Sequence, residues 1–551
     1  MKKQQVLFNI LYPNAYQPYV LQKIDYVFAG VLFFVSLFIY FLTLTPSVTA
    51  GDSGELITTV YNMGASHPPG FPLYGIVGKL FTFLRFPDIG YKLNIFSAVS
   101  AACAVLFCYL TLVKLLGFNR SVVGFSPVVH IPVVAASLLF AFSKAHWSQA
   151  VIAEVYAFNA GLTSAMFFVM TLWYEEIITY RDEENLWLAP RITLLLAFVM
   201  GLSITNHQLP VWYIIAWAFM LVPIIYLIIS FKGAVFIKQF QERKFPLIMI
   251  LIVVIMVIFL LVISAIKPDI LFPEFGPPGY RLVFPQHVPY ILTAILGGPV
   301  WLSFYVAQNS LYTASISRSR QDALHAIFWI VLAAVIAGMV FFLGGAHGII
   351  TSMPLIIMAV YQLIQKNDLA KETSKNWVDN FLFLLTWALW LFVFALSVYL
   401  YFYFRAKAIS PLTEPKPLTW GDTQTLDILF NHMLRKQYPV GTDDYSNILG
   451  QIWAVIEYHF SQFGMINVLI GIVGIYYFFK NEPIQWTYYI IASLVFFWSI
   501  IDFINFEVNP RSLETQEVFF IQQFLIYAFF IAFGYQAILV LLQSLNKVKE
   551  E

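Results

Sequence analysis

Charge is scarce in this sequence. Only 11% of its 551 residues are Asp, Glu, Lys or Arg, where a soluble globular chain carries roughly 25%. The signs nearly cancel, leaving a net charge of +1, so no global field points to nucleic acid. Cysteine is almost absent. Cys103 and Cys108 lie in one apolar stretch at a spacing that does not share a helix face, so they read as core residues, with neither a disulfide framework nor a metal pair. No Gly-rich loop ends in Lys-Ser/Thr and no dinucleotide fingerprint occurs. The turn Gly344-Gly345-Ala346-His347-Gly348 is too tight to hold a nucleotide. A nucleotide-sugar donor bound from the cytoplasm is therefore not supported.

What the chain has instead is apolar length. It is 60% hydrophobic and 18% aromatic. Runs of roughly 20 apolar residues recur, each long enough to cross a bilayer as a helix. Backbone polar groups in lipid must be satisfied within the segment, which favours helices, and the alternation of a membrane barrel is missing. The fold class expected is an all-α polytopic membrane protein of about 14 transmembrane helices. They are placed near 26–45, 93–116, 131–143, 154–174, 191–206, 210–230, 246–266, 288–308, 323–343, 347–363, 378–401, 463–479, 486–503 and 517–541. The third and fifth are short. The first run is full length and lacks a small-residue cleavage site, so it reads as an uncleaved span.

Loop charges give an orientation. Lys232, Lys238, Arg243 and Lys244, then Arg318 and Arg320, then Lys366, Lys371 and Lys375, and finally Lys547 and Lys549 fall in one alternating set of short loops. This set, with both termini, is expected in the cytoplasm. The other set holds the three longest loops, about 46–92, 267–287 and 402–462, which are rich in Pro, Gly, His, Trp and acids. Carriers usually place their polar chemistry at the bilayer midplane instead.

The first long loop carries the densest chemistry. Asp52 and Glu55 stand three residues apart, and His67 follows on a turn stiffened by Pro68, Pro69 and Gly70. One reading is local: with a helix from Ser53, Asp52 is its N-cap and Glu55 its third residue, a capping arrangement. The other is functional: a preorganised pocket in which a carboxylate acts as general base or ligates a divalent cation. Gly70 to Phe86 reads as an amphipathic segment lying on the membrane, with Lys79 and Arg85 on its polar side.

Thr45 to Tyr74, TPSVTAGDSGELITTVYNMGASHPPGFPLY, resembles the signature of a family of multispanning glycosyltransferases. That family includes the ER protein O-mannosyltransferase of plexin-type IPT domains (the transmembrane protein 260 type) and bacterial relatives. HWSQAVIAEVYAFN (His146–Asn159) and MGLSITNHQ (Met200–Gln208) resemble further loops of the family. So do Trp420-Gly421-Asp422, Arg435-Lys436-Gln437-Tyr438 and EVFFI at Glu517–Ile521. The family is similar to the wider GT-C superfamily. The resemblance implies a sugar carried on polyprenyl phosphate, inversion at the anomeric carbon, and an acid of the first external loop as base. Asp52 is then the catalytic candidate and Glu55 its partner. The chain stops at Glu551, soon after its last span, so no soluble C-terminal domain is expected.

Further candidates for binding the donor phosphate or substrate are His67, Lys144, His146, Glu154, Tyr156, Asn206, His207, Arg281 and Arg405. Trp147 and Tyr156 fit interfacial anchors equally well. Glu154 at the outer edge of a span calls for a partner among Lys144, His146 and His207. His207 beside a phosphodiester would stabilise the leaving phosphate, and Arg281 or Arg405 would match phosphate oxygens with a planar fork. Lys407 is more simply a headgroup contact.

The organisation expected is a GT-C-like catalytic transmembrane domain over 1–401, an external loop over 402–462 and C-terminal transmembrane helices over 463–551. The function expected is transfer of a sugar, mannose by resemblance, from a polyprenyl-phosphate donor to a hydroxyl. The acceptor would be Ser or Thr of an exported protein, at the external face of a bacterial inner membrane. The acceptor is alternatively a glycolipid or cell-wall polymer, and a lipid-linked sugar transporter or flippase is the rival class. No cofactor is required on this reading, and a divalent cation is possible.

Overall fold

The computed structural model describes residues 18–120, 122–179, 190–220, 388, 391–408, 419–437, 447–504 and 506–550. The chain divides into two compact units, one of 1–180, 195–227 and 392–551 and the other of 181–194 and 228–391. Nearly all of the second falls outside the described residues, as do Arg281 and the expected spans 246–266, 288–308, 323–343 and 347–363.

The described part is helical, and its one β contact is an isolated parallel bridge between Ala65 and Thr419. In chain order the helices are α1 (Lys23–Leu42), α2 (Ser53–Asn62), α3 (Pro72–Phe81), α4 (Ile89–Gly117), α5 (Pro127–Ala141), α6 (Lys144–Ala150), α7 (Val155–Thr179), α8 (Pro190–Asn206) and α9 (Leu209–Met220). After the undescribed stretch come α10 (Leu400–Ala408), α11 (Leu426–Met433), α12 (Ile448–Asn481), α13 (Pro483–Ile504), α14 (Pro510–Gln516) and, through a 3-10 turn at Glu517–Phe520, α15 (Ile521–Glu550). Six of the described helices are long and apolar enough to cross a membrane, or seven if α5 and α6, bent by 62° at their junction, form one broken span. The short third run of the sequence is this broken pair.

Helix α4 is the centre of the unit. Its small residues Ala98, Ala101, Ala102 and Ala104 are fully buried, and α1, α5 and α7 pack around it. Helix α12 lies against α15 at very close range. A Cβ added at Gly474 would fall 1.7 Å from the Phe530 carbonyl oxygen, and one at Gly534 would fall 2.1 Å from that of Ile470. Only glycine permits that approach, the small-residue contact typical of helices packed in lipid.

The long apolar helices run alternately up and down, which sorts the polar residues into two ends. One end gathers the start of α1, the end of α4, the start of α5 and the end of α7. There the buried carboxylate of Asp25 meets His130 Nε2 at 3.1 Å and accepts from the Tyr19 hydroxyl at 2.9 Å. Nearby, Lys114 pairs with Glu175 at 2.7 Å. The other end gathers the exit of α1, α2, α3, the starts of α4 and α7, and α6. Asn94 of α4 donates to the carbonyls of Thr45 and Ser47, and the Thr45 N–H donates to Val151. These bonds fix the first loop against the bundle.

The region 402–462, expected as loop, holds most of α10, α11 and the first half of α12. Helix α12 breaks at Gly464, where φ is +73°, at the point where the sequence places the start of a span. Helix α3 covers the middle of the segment Gly70 to Phe86 that the sequence marks as amphipathic, and Phe83 follows its end. Tyr74 is buried, Leu80 and Phe83 are exposed, and the Lys79 ammonium sits over the Tyr61 ring at 4.8 Å.

Candidate active site

The capping arrangement expected at Asp52 and Glu55 does not form. Asp52 is the N-cap of α2, but its side chain makes no cap hydrogen bond and its backbone is already helical, with φ −78° and ψ −5°. Glu55 turns instead to His67. It accepts from the His67 backbone N–H at 2.5 Å and meets the ring Nδ1 at 3.1 Å. The other ring nitrogen, Nε2, lies 3.8 Å from Asp52 Oδ2. One imidazole therefore bridges two carboxylates. The Pro68–Pro69 turn and Gly70, at φ +95°, return the chain to α3 just beyond it.

The electrostatics follow from that bridge. Burial raises the Glu55 carboxyl, but the hydrogen bonds and charge of His67 outweigh it and bring it below its ordinary value. Burial lowers the His67 imidazole, but the bond and charge of Glu55, then the charges of Asp52 and Glu154, lift it above its ordinary value. The pair thus favours imidazolium and carboxylate. Asp52 keeps the exposed position, with 59% of its side-chain surface open against 20% for Glu55.

Glu154 joins this group, and its neighbours are not the ones expected. It is buried just before α7 and senses the charges of Asp52 and His67. Burial first, and Asp52 second, push it up to about 7. Two acids of unlike character therefore stand side by side, one open and one buried.

His207, between α8 and α9, stacks on Phe71 at 6.0 Å and faces Tyr156 at 5.8 Å. Its Nδ1 accepts from the Leu209 N–H at 3.3 Å. Burial, then the charges of Arg435 and His67, push it down to about 3, so it stands as a neutral imidazole. Asn206 donates to the Val155 carbonyl at 3.4 Å, and its buried Oδ1 has no hydrogen-bond partner among the described residues.

Three expected phosphate or substrate ligands are placed otherwise. His146 is buried inside the bundle, stacked on Phe140 at 4.3 Å, with its Nε2 3.3 Å from the Ala101 carbonyl oxygen. Lys144 pairs at 2.8 Å with Glu517, whose other oxygen accepts from Gln462. Arg405 spends two N–H groups on the end of α2, donating to the carbonyls of Met63 at 3.0 Å and Asn62 at 3.2 Å. It supports a turn in which Met63 takes a left-handed conformation.

The sequence reading assigned no role to the wall supplied by 419–437. The Trp420 N–H donates to the Ala65 carbonyl at 2.9 Å, and its ring lies edge-on to His67 at 6.4 Å. The buried ring of His432 packs against Gly70, where a Cβ would fall 2.8 Å from its Nε2. Trp420 and Arg435 stood in patterns already noted, but nothing local marks His432. The nearest donor atoms of Asp52, Glu55 and His67 lie within 4.8 Å of one another, a set of two oxygens and one nitrogen that a divalent ion could bridge.

The described residues thus define a polytopic helical membrane protein with an acid–histidine–acid group and a buried third acid at one end of its bundle. Residues 52–226 match the family described as the Protein O-mannosyl-transferase TMEM260 N-terminal domain. It is 29% identical over 208 residues to Protein O-mannosyl-transferase tmem260 of Dictyostelium discoideum, covering 37% of this chain and 24% of that one. It is 30% identical over 178 residues to Protein O-mannosyl-transferase TMEM260 of Mus musculus, covering 32% and 23%. Each match spans about a quarter of the relative's own length. No solved structure matches the chain.

Proposed function

We propose that this protein is an inverting glycosyltransferase. It moves a sugar, mannose by analogy with the names of its relatives, from a polyprenyl-phosphate carrier to a Ser or Thr hydroxyl of an exported protein. The chemistry takes place at the external face of the membrane, the bacterial inner membrane with both termini cytoplasmic. The observation that carries this reading is the contrast between the two loop acids: Glu55 is committed to His67, while Asp52 stands open beside it. Asp52 takes the proton from the acceptor hydroxyl as the oxygen attacks the anomeric carbon. The bond from that carbon to the phosphate oxygen breaks on the opposite face, and its electrons leave with the polyprenyl phosphate. The leaving group is already an anion, so no general acid is needed, and the work is positioning and electrostatics.

Glu55 and His67 hold the geometry. The imidazolium adds a positive charge at the reacting centre without a metal. The GT-C-like architecture, with the carrier's chain in a groove between spans, belongs to the same proposal. The test is the purified full chain in lipid nanodiscs with labelled polyprenyl-phosphate mannose and a Ser/Thr-rich acceptor peptide. Transfer that disappears in Asp52→Asn supports the reading. Transfer of the same rate in that variant, or lipid movement across the bilayer without transfer, defeats it.

A further inference from the structure

Two aromatic rings meet the His67 imidazole, and they differ in exposure. Phe71, at 5.2 Å, is buried. Trp420, at 6.4 Å, keeps 42% of its surface exposed. The same imidazole lies 3.8 Å from the open carboxylate of Asp52. The open acid and the open indole are therefore neighbours of one ring.

A tryptophan at a membrane surface is commonly a headgroup anchor. Such an anchor turns its N–H to the headgroups and needs no fixed orientation. Trp420 is instead held from several sides. Its main-chain N–H donates to the Ala65 carbonyl at 2.9 Å, beside the bridge between Ala65 and Thr419. Its indole N–H donates to the Gln437 side chain at 3.2 Å. Gly421, at φ +78°, turns the chain onto the buried His432 ring, where a Cβ would fall 3.1 Å from Nδ1. Two residues on, the Thr423 hydroxyl donates to the Phe402 carbonyl at 3.1 Å. The indole is fixed before any ligand arrives, so little ordering is left to be done on binding.

We propose that Trp420 is the sugar platform of this site, a pyranose ring lying on its open face with the rim toward Asp52. A pyranose carries hydroxyls at its rim and C–H bonds on its faces. Those hydrogens are slightly positive and match the negative face of an indole. A prenyl chain gains nothing from a flat, fixed surface beside a base. A sugar does, because its anomeric carbon must be held within attack distance of the hydroxyl that the base deprotonates. This rests on the transferase reading given above and names the surface that holds the sugar within it.

The experiment is competitive binding of polyprenyl phosphate with and without mannose to the full chain in phosphatidylcholine nanodiscs, alongside the transfer assay. The native chain is expected to prefer the sugar-bearing lipid. Trp420→Leu keeps apolar bulk and loses the π face. It is expected to weaken binding of the sugar-bearing lipid by about 3- to 10-fold, the range of an aromatic contact, and to raise the donor KM in step. Binding of the sugar-free lipid and the acceptor KM should stay as they are. Trp420→Phe, which keeps a ring face, is expected to fall between. Gln437→Ala releases the indole N–H at an exposed position. It is expected to lose part of the preference at a native thermal midpoint, and it carries the test should Trp420→Leu unfold. Equal weakening of both lipids assigns Trp420 to the headgroup or the chain and overturns the proposal. So does a rise in the acceptor KM alone, a native chain with no preference, or a preference unchanged in the variants. A preference that depends on Trp420 without any transfer leaves the platform standing and removes the transferase reading.

Discussion

Glu55 grips His67 at two points, the backbone N–H at 2.5 Å and the ring at 3.1 Å. Main chain and imidazole are fixed by one carboxylate, so this loop should respond to pH from both directions. The Glu55 value is lowered, so its contribution is present above the unfolded value and lost as pH falls through the lowered one. The His67 value is raised, so its contribution is present below the unfolded value and lost as pH rises through the raised one. Hydrogen exchange of the Ser66–Gly70 amides, corrected for intrinsic rates, should show protection only within that window. Glu55→Gln should abolish the window, and protection independent of pH would contradict the pairing.

Asp52→Asn should leave the fold intact, because the side chain makes no cap bond and is mostly exposed. Transfer should fall by about 100-fold or more, the usual share of a positioned base. Matching melting curves with unequal rates would be the signature, measured in the same nanodiscs.

Glu154 should cost stability as pH rises from the acid side toward neutrality. A buried carboxyl raised to about 7 gives up stability as pH climbs toward that value, because the charged form is poorly solvated beside Asp52. Thermal midpoints of the native chain should decline between the ordinary value of 4.5 and about pH 7 and level off above it, and Glu154→Gln should flatten the decline. A decline of equal slope in the variant would count against this placement.

Gly70→Ala should destabilise by about 1–3 kcal/mol, the range for overpacking. The added carbon would fall 2.3 Å from Phe402 Cε2 at a residue whose φ of +95° already disfavours it. Chemical denaturation would read the loss, and activity should fall with it because the same turn carries His67.

Arg405→Ala offers the contrasting case. Losing its bonds to Met63 and Asn62 should cost about 1 kcal/mol and leave the donor KM unchanged. A large rise in KM with no thermal change would return Arg405 to the phosphate.

The spans were legible where apolar length alone decides them. α1, α4 and α7 lie close to where their sequence runs place them, because a continuous lipid-facing or buried stretch writes its own boundaries. The bend between α5 and α6 and the break at Gly464 were not, since each depends on what the helix meets at its end. At the site, the proximity of Asp52, Glu55 and His67 was readable from one loop, but the choice between capping α2 and gripping His67 was not. Local spacing permits both, and the turn through Pro68, Pro69 and Gly70 brings His67 to Glu55. Trp420 stood in a noted pattern, but its meeting with His67, like the packing of His432 on Gly70, comes only through distant folding and left no local signal.

The bridge from Ala65 to Thr419 has a consequence for timing. The acids emerge early in synthesis, while the strip that walls them, Thr419 to Gln437, is made only after most of the helices have been threaded into the bilayer. A half-made chain therefore displays Asp52, Glu55 and His67 before Trp420 can meet the His67 ring and before His432 can pack on Gly70.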